Sequence, residues 1–136
     1  MENPLHREIL EEHARSPGYQ SSLEQPDRRS VWTSPKTGNS CSVAISAGDG
    51  RIGRIQAKVE GSALAIACSS LMGSAVEGIP VEEALGLAKS VIEFIENGKE
   101  TSLPGDLVVY ESIVRFPERH DCAMLAWRAL VLTLNS

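Results

Sequence analysis

Apolar side chains change their spacing midway along this chain, and that switch constrains the fold more than any other feature. Cys41, Val43 and Ile45 alternate with Ser40, Ser42, Ala44 and Ser46, which is the period of a half-buried strand. Ile55, Ala57 and Val59 alternate in the same way with Arg54, Gln56, Lys58 and Glu60. Gly48-Asp49-Gly50 supplies the turn that joins them into an antiparallel hairpin. Ile52 is out of phase with the apolar face of its strand, and Gly53 marks a bulge. A shorter strand, Val31-Trp32-Thr33, precedes the hairpin and ends at Ser34-Pro35. After Gly61 the spacing becomes three and four, as in Leu85, Ala88, Ile92 and Ile95. Strands followed by helices predict an α+β domain: a three-stranded antiparallel sheet with helices packed mainly on one face.

Punctuation residues set the helix boundaries. Pro4, after a possible cap at Asn3, opens a helix over 4–15 whose apolar stripe includes Leu5 and Ile9, and Ser16-Pro17-Gly18 ends it. Residues 19–29 are polar and read as a loop. A helix of small apolar residues covers 63–77. Glu82-Glu83 begin the next, over 81–96, and Asn97-Gly98 stop it. Asp106 is placed to cap a short helix over 107–113, and Pro117 or Glu118 opens a last helix reaching about Leu134.

Size and charge narrow the partners. A chain of 136 residues, read as one domain over 1–136, can bury a core without disulfides. Thirteen basic against eighteen acidic residues give a formal charge of −5, which disfavours nucleic acid. No apolar run approaches the roughly 20 residues that span a bilayer. Three widely spaced cysteines form no disulfide framework, and a reducing, cytoplasmic setting is expected.

The chain has no Gly-rich phosphate loop, no His-Glu-x-x-His and no Gly-x-Ser-x-Gly, so no enzymatic activity is expected. Cys122 falls in the first turn of the last helix, where the helix dipole favours an anionic sulfur able to bind metal or attack sulfur. Arg119 and His120 add to that effect and Asp121 opposes it. The bland alternative is a small buried hydrophobe. Cys41 and Cys68 read as packing residues. A rearranged ligand pair of Cys68 with Cys122 is the alternative, without obvious helper ligands. His120 and Cys122 are poorly placed to share a metal, because nearby helix positions diverge by about 100° per residue. His6 and His13 read as surface or packing groups.

Phe116 to Leu130, FPERHDCAMLAWRAL, resembles the signature of the SufU/IscU-type iron–sulfur scaffold family, the NifU N-terminal type. The resemblance covers nearly the whole chain. Ile9, His13 and Pro17 match the family's opening helix. Ser34-Pro35-Lys36-Thr37-Gly38-Asn39 stands where the family has Asn-Pro-x-Cys-Gly-Asp. Gly61-Ser62-Ala63 stands where it has Gly-Cys before a Ser- and Ala-rich helix, here AIACSSLM. The connection from Gly78 to Pro117 is of the SufU length, and the IscU branch's Leu-Pro-Pro-Val-Lys is absent.

The resemblance implies a metal site of three Cys and one Asp at Thr37, Asn39, Ser62 and Cys122, of which Cys122 alone is unchanged. Hydroxyls keep their protons near neutral pH, and an Asn carbonyl is uncharged. A structural zinc site contributes roughly 10–16 kcal/mol of apparent binding free energy, and most of that should be lost here. The family's zinc or iron–sulfur cluster is therefore expected to be weak or absent. The resemblance implies a divergent cluster-assembly scaffold with a cysteine desulfurase as partner and Cys122 as sulfur acceptor. The alternative is a metal-free pseudo-scaffold that acts as a binding or regulatory module toward a desulfurase or a true scaffold.

Overall fold

Asn3 begins the first helix as its sequence position suggests. In the computed structural model, which describes residues 3–135, its side-chain oxygen accepts from the N–H groups of Leu5 at 2.9 Å and His6 at 3.3 Å. Pro4 then starts α1 (Pro4–Arg15) with the N–H it lacks at a position that needs none. The helix does not dock through Leu5, which is 62% exposed. Its buried residue is His6, whose Nδ1 lies 2.7 Å from Ser112 Oγ. His13 Nδ1 likewise lies 2.7 Å from Ser70 Oγ. Both histidines are polar packing groups, and they fix α1 against its neighbours.

The sheet has the order β1-β2-β3, with β1 (Arg28–Thr33), β2 (Ser40–Gly48) and β3 (Arg51–Glu60) antiparallel. Cys41 pairs with Trp32 and Val59, Val43 with Ser30 and Ala57, and Ile45 with Arg28 and Ile55. The alternating residues therefore share one face, and Cys41, Val43 and Ile45 are fully buried. The register shifts after Ser46↔Arg54, where Ala47 pairs with Ile52 and Gly53 is the extra residue. This bulge returns Ile52 to the buried side, and burying such a side chain contributes about 2 kcal/mol. β1 begins at Arg28, inside the segment expected to be loop, because pairing with β2 holds a polar stretch that has no apolar alternation. The outer edge of β3 is covered where the Ala57 N–H donates to the Tyr19 carbonyl at 2.7 Å.

Four helices follow: α2 (Ala63–Val76), α3 (Val81–Asn97), the single turn α4 (Tyr110–Ile113) and α5 (His120–Leu134). Gly98 ends α3 in the left-handed region at φ 67°, which glycine adopts without a Cβ clash. Segment 105–113 departs from the expected capped helix. Its first five residues are a 3₁₀ helix, and its cap position is Pro104 without a side-chain bond, so Asp106 does not cap it. A 3₁₀ turn, Pro117–Arg119, also precedes α5. α2 and α5 lie against the sheet, and α1 packs outside α2. Trp127, Leu125 and Leu130 of α5 occupy the core, where Trp127 Nε1 donates to the Tyr110 hydroxyl at 2.7 Å. Among the described residues no helix is long and apolar enough to cross a membrane.

Candidate functional site

Three chain segments meet at one end of the sheet. The first is the β1–β2 loop, which winds around Ser34. Its Oγ accepts from the N–H groups of Lys36 at 3.1 Å and Thr37 at 3.3 Å. Its backbone N–H donates to the Asn39 carbonyl at 2.8 Å, and its carbonyl accepts from Gly38 at 2.9 Å. Gly38 makes the turn with φ 79°, a conformation that suits glycine. The second segment is the start of α2, where Ser62 is the N-cap and its Oγ accepts from the Ala65 N–H at 3.1 Å. The third is the start of α5, which presents Asp121 and Cys122 in its first turn.

These folds bring Thr37, Asn39, Ser62 and Cys122 together. Ser62 Oγ donates to Cys122 Sγ at 3.3 Å, and Asn39 Nδ2 donates to the same sulfur at 3.7 Å. Thr37 Oγ1 lies instead against Asp121, donating to Oδ2 at 3.1 Å and accepting from the Asn39 N–H at 3.2 Å. Ser34 Oγ donates to the same carboxylate oxygen at 2.7 Å. Gly61 gives Asn39 its room: a Cβ there would stand 2.7 Å from Asn39 Cγ.

The other candidates sit elsewhere. Cys41 and Cys68 are fully buried in the core, and burial pushes both thiols up to about 12. Cys68 also bonds with Tyr110, which lowers it somewhat. His120 Nε2 lies 2.7 Å from the Val114 carbonyl, an acceptor that holds the ring's N–H. The Arg119 guanidinium stacks over Phe116 at 4.4 Å from the ring centroid. Among the described residues, Cys122 alone of the three thiols is only partly buried. The sequence pattern gives Ser34 no site role and Asp121 only an opposing charge. The loop geometry makes them a bonded pair, and their one sequence signal is a carboxylate directly before the cysteine.

Similarity to known proteins shows the family. The family model described as NifU-like N terminal domain matches residues 5–135. The chain belongs to this family. Two relatives are similar over most of its length. The iron–sulfur cluster assembly scaffold protein IscU of Streptococcus pyogenes serotype M1 is 29% identical over 131 residues, 94% of this chain and 81% of that protein. The zinc-dependent sulfurtransferase SufU of Bacillus subtilis strain 168 is 26% identical over 129 residues, 93% of this chain and 86% of that protein. Among solved structures, a protein described as a candidate cluster assembly scaffold for the SUF system of Fervidobacterium islandicum AW-1 superposes with a TM-score of 0.86. It is 19% identical and the match covers 93% of this chain and 94% of that one. The NifU-like N-terminal protein of Brucella abortus gives 0.82 at 20% identity, covering 93% and 90%. The α+β fold is thus that of the SufU/IscU-type cluster-assembly scaffold family.

Whether the four grouped residues suit that family's zinc or cluster follows from their bonding. A metal needs lone pairs directed at a common point. Ser62 Oγ uses one lone pair to cap α2 and turns its proton to Cys122, and Thr37 Oγ1 is engaged with Asn39 and Asp121. Asn39 presents its NH₂ to the sulfur. Among the described residues no three His, Cys, Asp or Glu side chains are grouped to hold a metal ion. The residues present do not fit the family's metal.

Proposed function

We propose that this protein serves iron–sulfur cluster assembly by accepting sulfur from a cysteine desulfurase on Cys122. The observation that carries the reading is the contrast among thiols: Cys41 and Cys68 are fully buried, whereas Cys122 is only partly buried and receives hydrogen bonds from Ser62 and Asn39. The Cys122 thiolate attacks the outer sulfur of the desulfurase persulfide. The persulfide S–S bond breaks, the desulfurase thiolate leaves with the electron pair, and a new S–S bond forms on Cys122. No electrons are gained or lost overall. Ser62 and Asn39 donate to the sulfur before and after transfer, a role suited to a group that carries negative charge. No resident metal takes part in this step. A reducing cytoplasm is the setting in which a partly accessible thiol keeps this chemistry.

The reading is tested by incubating the protein with a cysteine desulfurase and cysteine, then locating added sulfur by mass spectrometry. One sulfur atom on Cys122 is expected, and an unmodified Cys122 would refute the reading. A second reading, a binding module toward a desulfurase or a true scaffold, draws support from the hydrogen bonds that already occupy Ser62, Asn39 and Thr37. It predicts a desulfurase complex that survives Cys122→Ser.

A further inference from the structure

We infer that this site has replaced the cross-link of a bound metal by a hydrogen-bonded one centred on Asp121 and Cys122 at the start of α5, and that the side chains at 37, 39 and 62 make it select against zinc. The observations are independent of whether Cys122 receives sulfur. Ser34, only 2% exposed, spends its proton on Asp121 Oδ2, and Thr37 spends its own on the same oxygen. Those two bonds tie the β1–β2 loop to α5. Ser62 and Asn39 bond to Cys122 Sγ and tie α2 and the same loop to α5. Three segments far apart in sequence are thereby pinned to the adjacent residues Asp121 and Cys122, the mechanical task that a tetrahedral ion would otherwise perform.

The same bonds explain the selection. For zinc to enter, Thr37 and Ser62 must each break a hydrogen bond to an acidic or sulfur acceptor. Their hydroxyls would return only neutral, protonated ligands, which suit zinc poorly. Asn39 must turn its amide through half a rotation while its backbone N–H and carbonyl stay bonded in the loop. The Asp121 carboxylate oxygen Oδ2 already accepts two hydrogen bonds, from Ser34 and Thr37. A site whose Ser34, Thr37, Ser62 and Asn39 donors are already engaged with Asp121 and Cys122 makes zinc displace those bonds before it can bind.

Zinc chloride and a chelator, applied to the purified full chain, test this by melting temperature and by metal content. The wild-type melting temperature is expected to stay unchanged in either, with no stoichiometric zinc. The triple variant T37C/N39D/S62C is expected to take up one zinc per chain and to melt higher with zinc than with chelator. Ser34→Ala is expected to lower the melting temperature of the wild-type chain and to lower it less in the zinc-loaded triple variant, where the ion supplies the cross-link. Zinc that copurifies with the wild-type chain and is lost on Cys122→Ser would overturn the inference, as would a wild-type melting temperature raised by zinc. Rejection of zinc by a folded triple variant would equally overturn the claim that these three positions decide. None of these readouts involves sulfur transfer, so failure here and failure of the proposed function are separable.

Discussion

Gly61 and Asn39 form a matched pair. The gap left by the missing Cβ is filled by the Asn39 side chain, with a built Cβ only 2.7 Å from Cγ and 3.0 Å from Nδ2. Gly61→Ala should therefore displace the amide from Cys122 and destabilise the fold by about 1–2 kcal/mol, read as a lower urea midpoint. Asn39→Ala in the same chain should recover part of that loss, because Cγ and Nδ2 are gone and only Cβ, at 3.0 Å, remains in the way. A purely additive double variant would argue against the pairing. The grouping of residues 37, 39, 62 and 122 was legible in sequence through resemblance to the family's metal-site pattern. The parts played by Ser34 and Asp121 were not. They depend on how a six-residue loop wraps its backbone around one hydroxyl, and no periodicity encodes that.

Alternation and helical spacing revealed β2, β3 and the bulge at Gly53, because each apolar residue there has one face to bury. They missed the start of β1, whose Arg28–Ser30 stretch is held by backbone pairing and has no apolar alternation. They also missed the 3₁₀ character of 105–109, where no side chain caps the segment. In α5 the sequence pattern and the packing agree, and the centre of that agreement is Trp127 against Tyr110. The rings lie 6.5 Å apart in an edge arrangement, joined by the indole-to-phenol hydrogen bond. Trp127→Phe should remove that bond, leave a void beside the phenol and cost about 2–4 kcal/mol, measured by urea unfolding. At temperatures below melting the accessible thiol should still be Cys122 alone, as counted by alkylation.

The assembled fold stores protons that the unfolded chain would release. Burial pushes Cys41 and Cys68 from an ordinary 9.0 to about 12, and burial likewise raises Tyr110 well above its ordinary 10.0. As pH rises above 9.0, unfolded chains lose thiol protons that the fold retains, so the unfolded state binds fewer protons and stability falls. The contribution is fully present below pH 9.0 and is lost on the way to about 12, with Tyr110 adding loss in the same direction above 10.0. Each buried thiol should steepen the decline by up to about 1.4 kcal/mol per pH unit. Urea unfolding on either side of pH 9.0 reads this directly, and a flat profile would contradict it.

The proposal is that one thiol, Cys122, accepts sulfur in a scaffold fold where Ser62 and Asn39 donate hydrogen bonds to it. Mass spectrometry of the metal-free protein after incubation with a cysteine desulfurase and cysteine tests it most directly. The account predicts one added sulfur atom, located on Cys122 and absent from Cys122→Ser. An unmodified Cys122, or sulfur added equally to that variant, would contradict it.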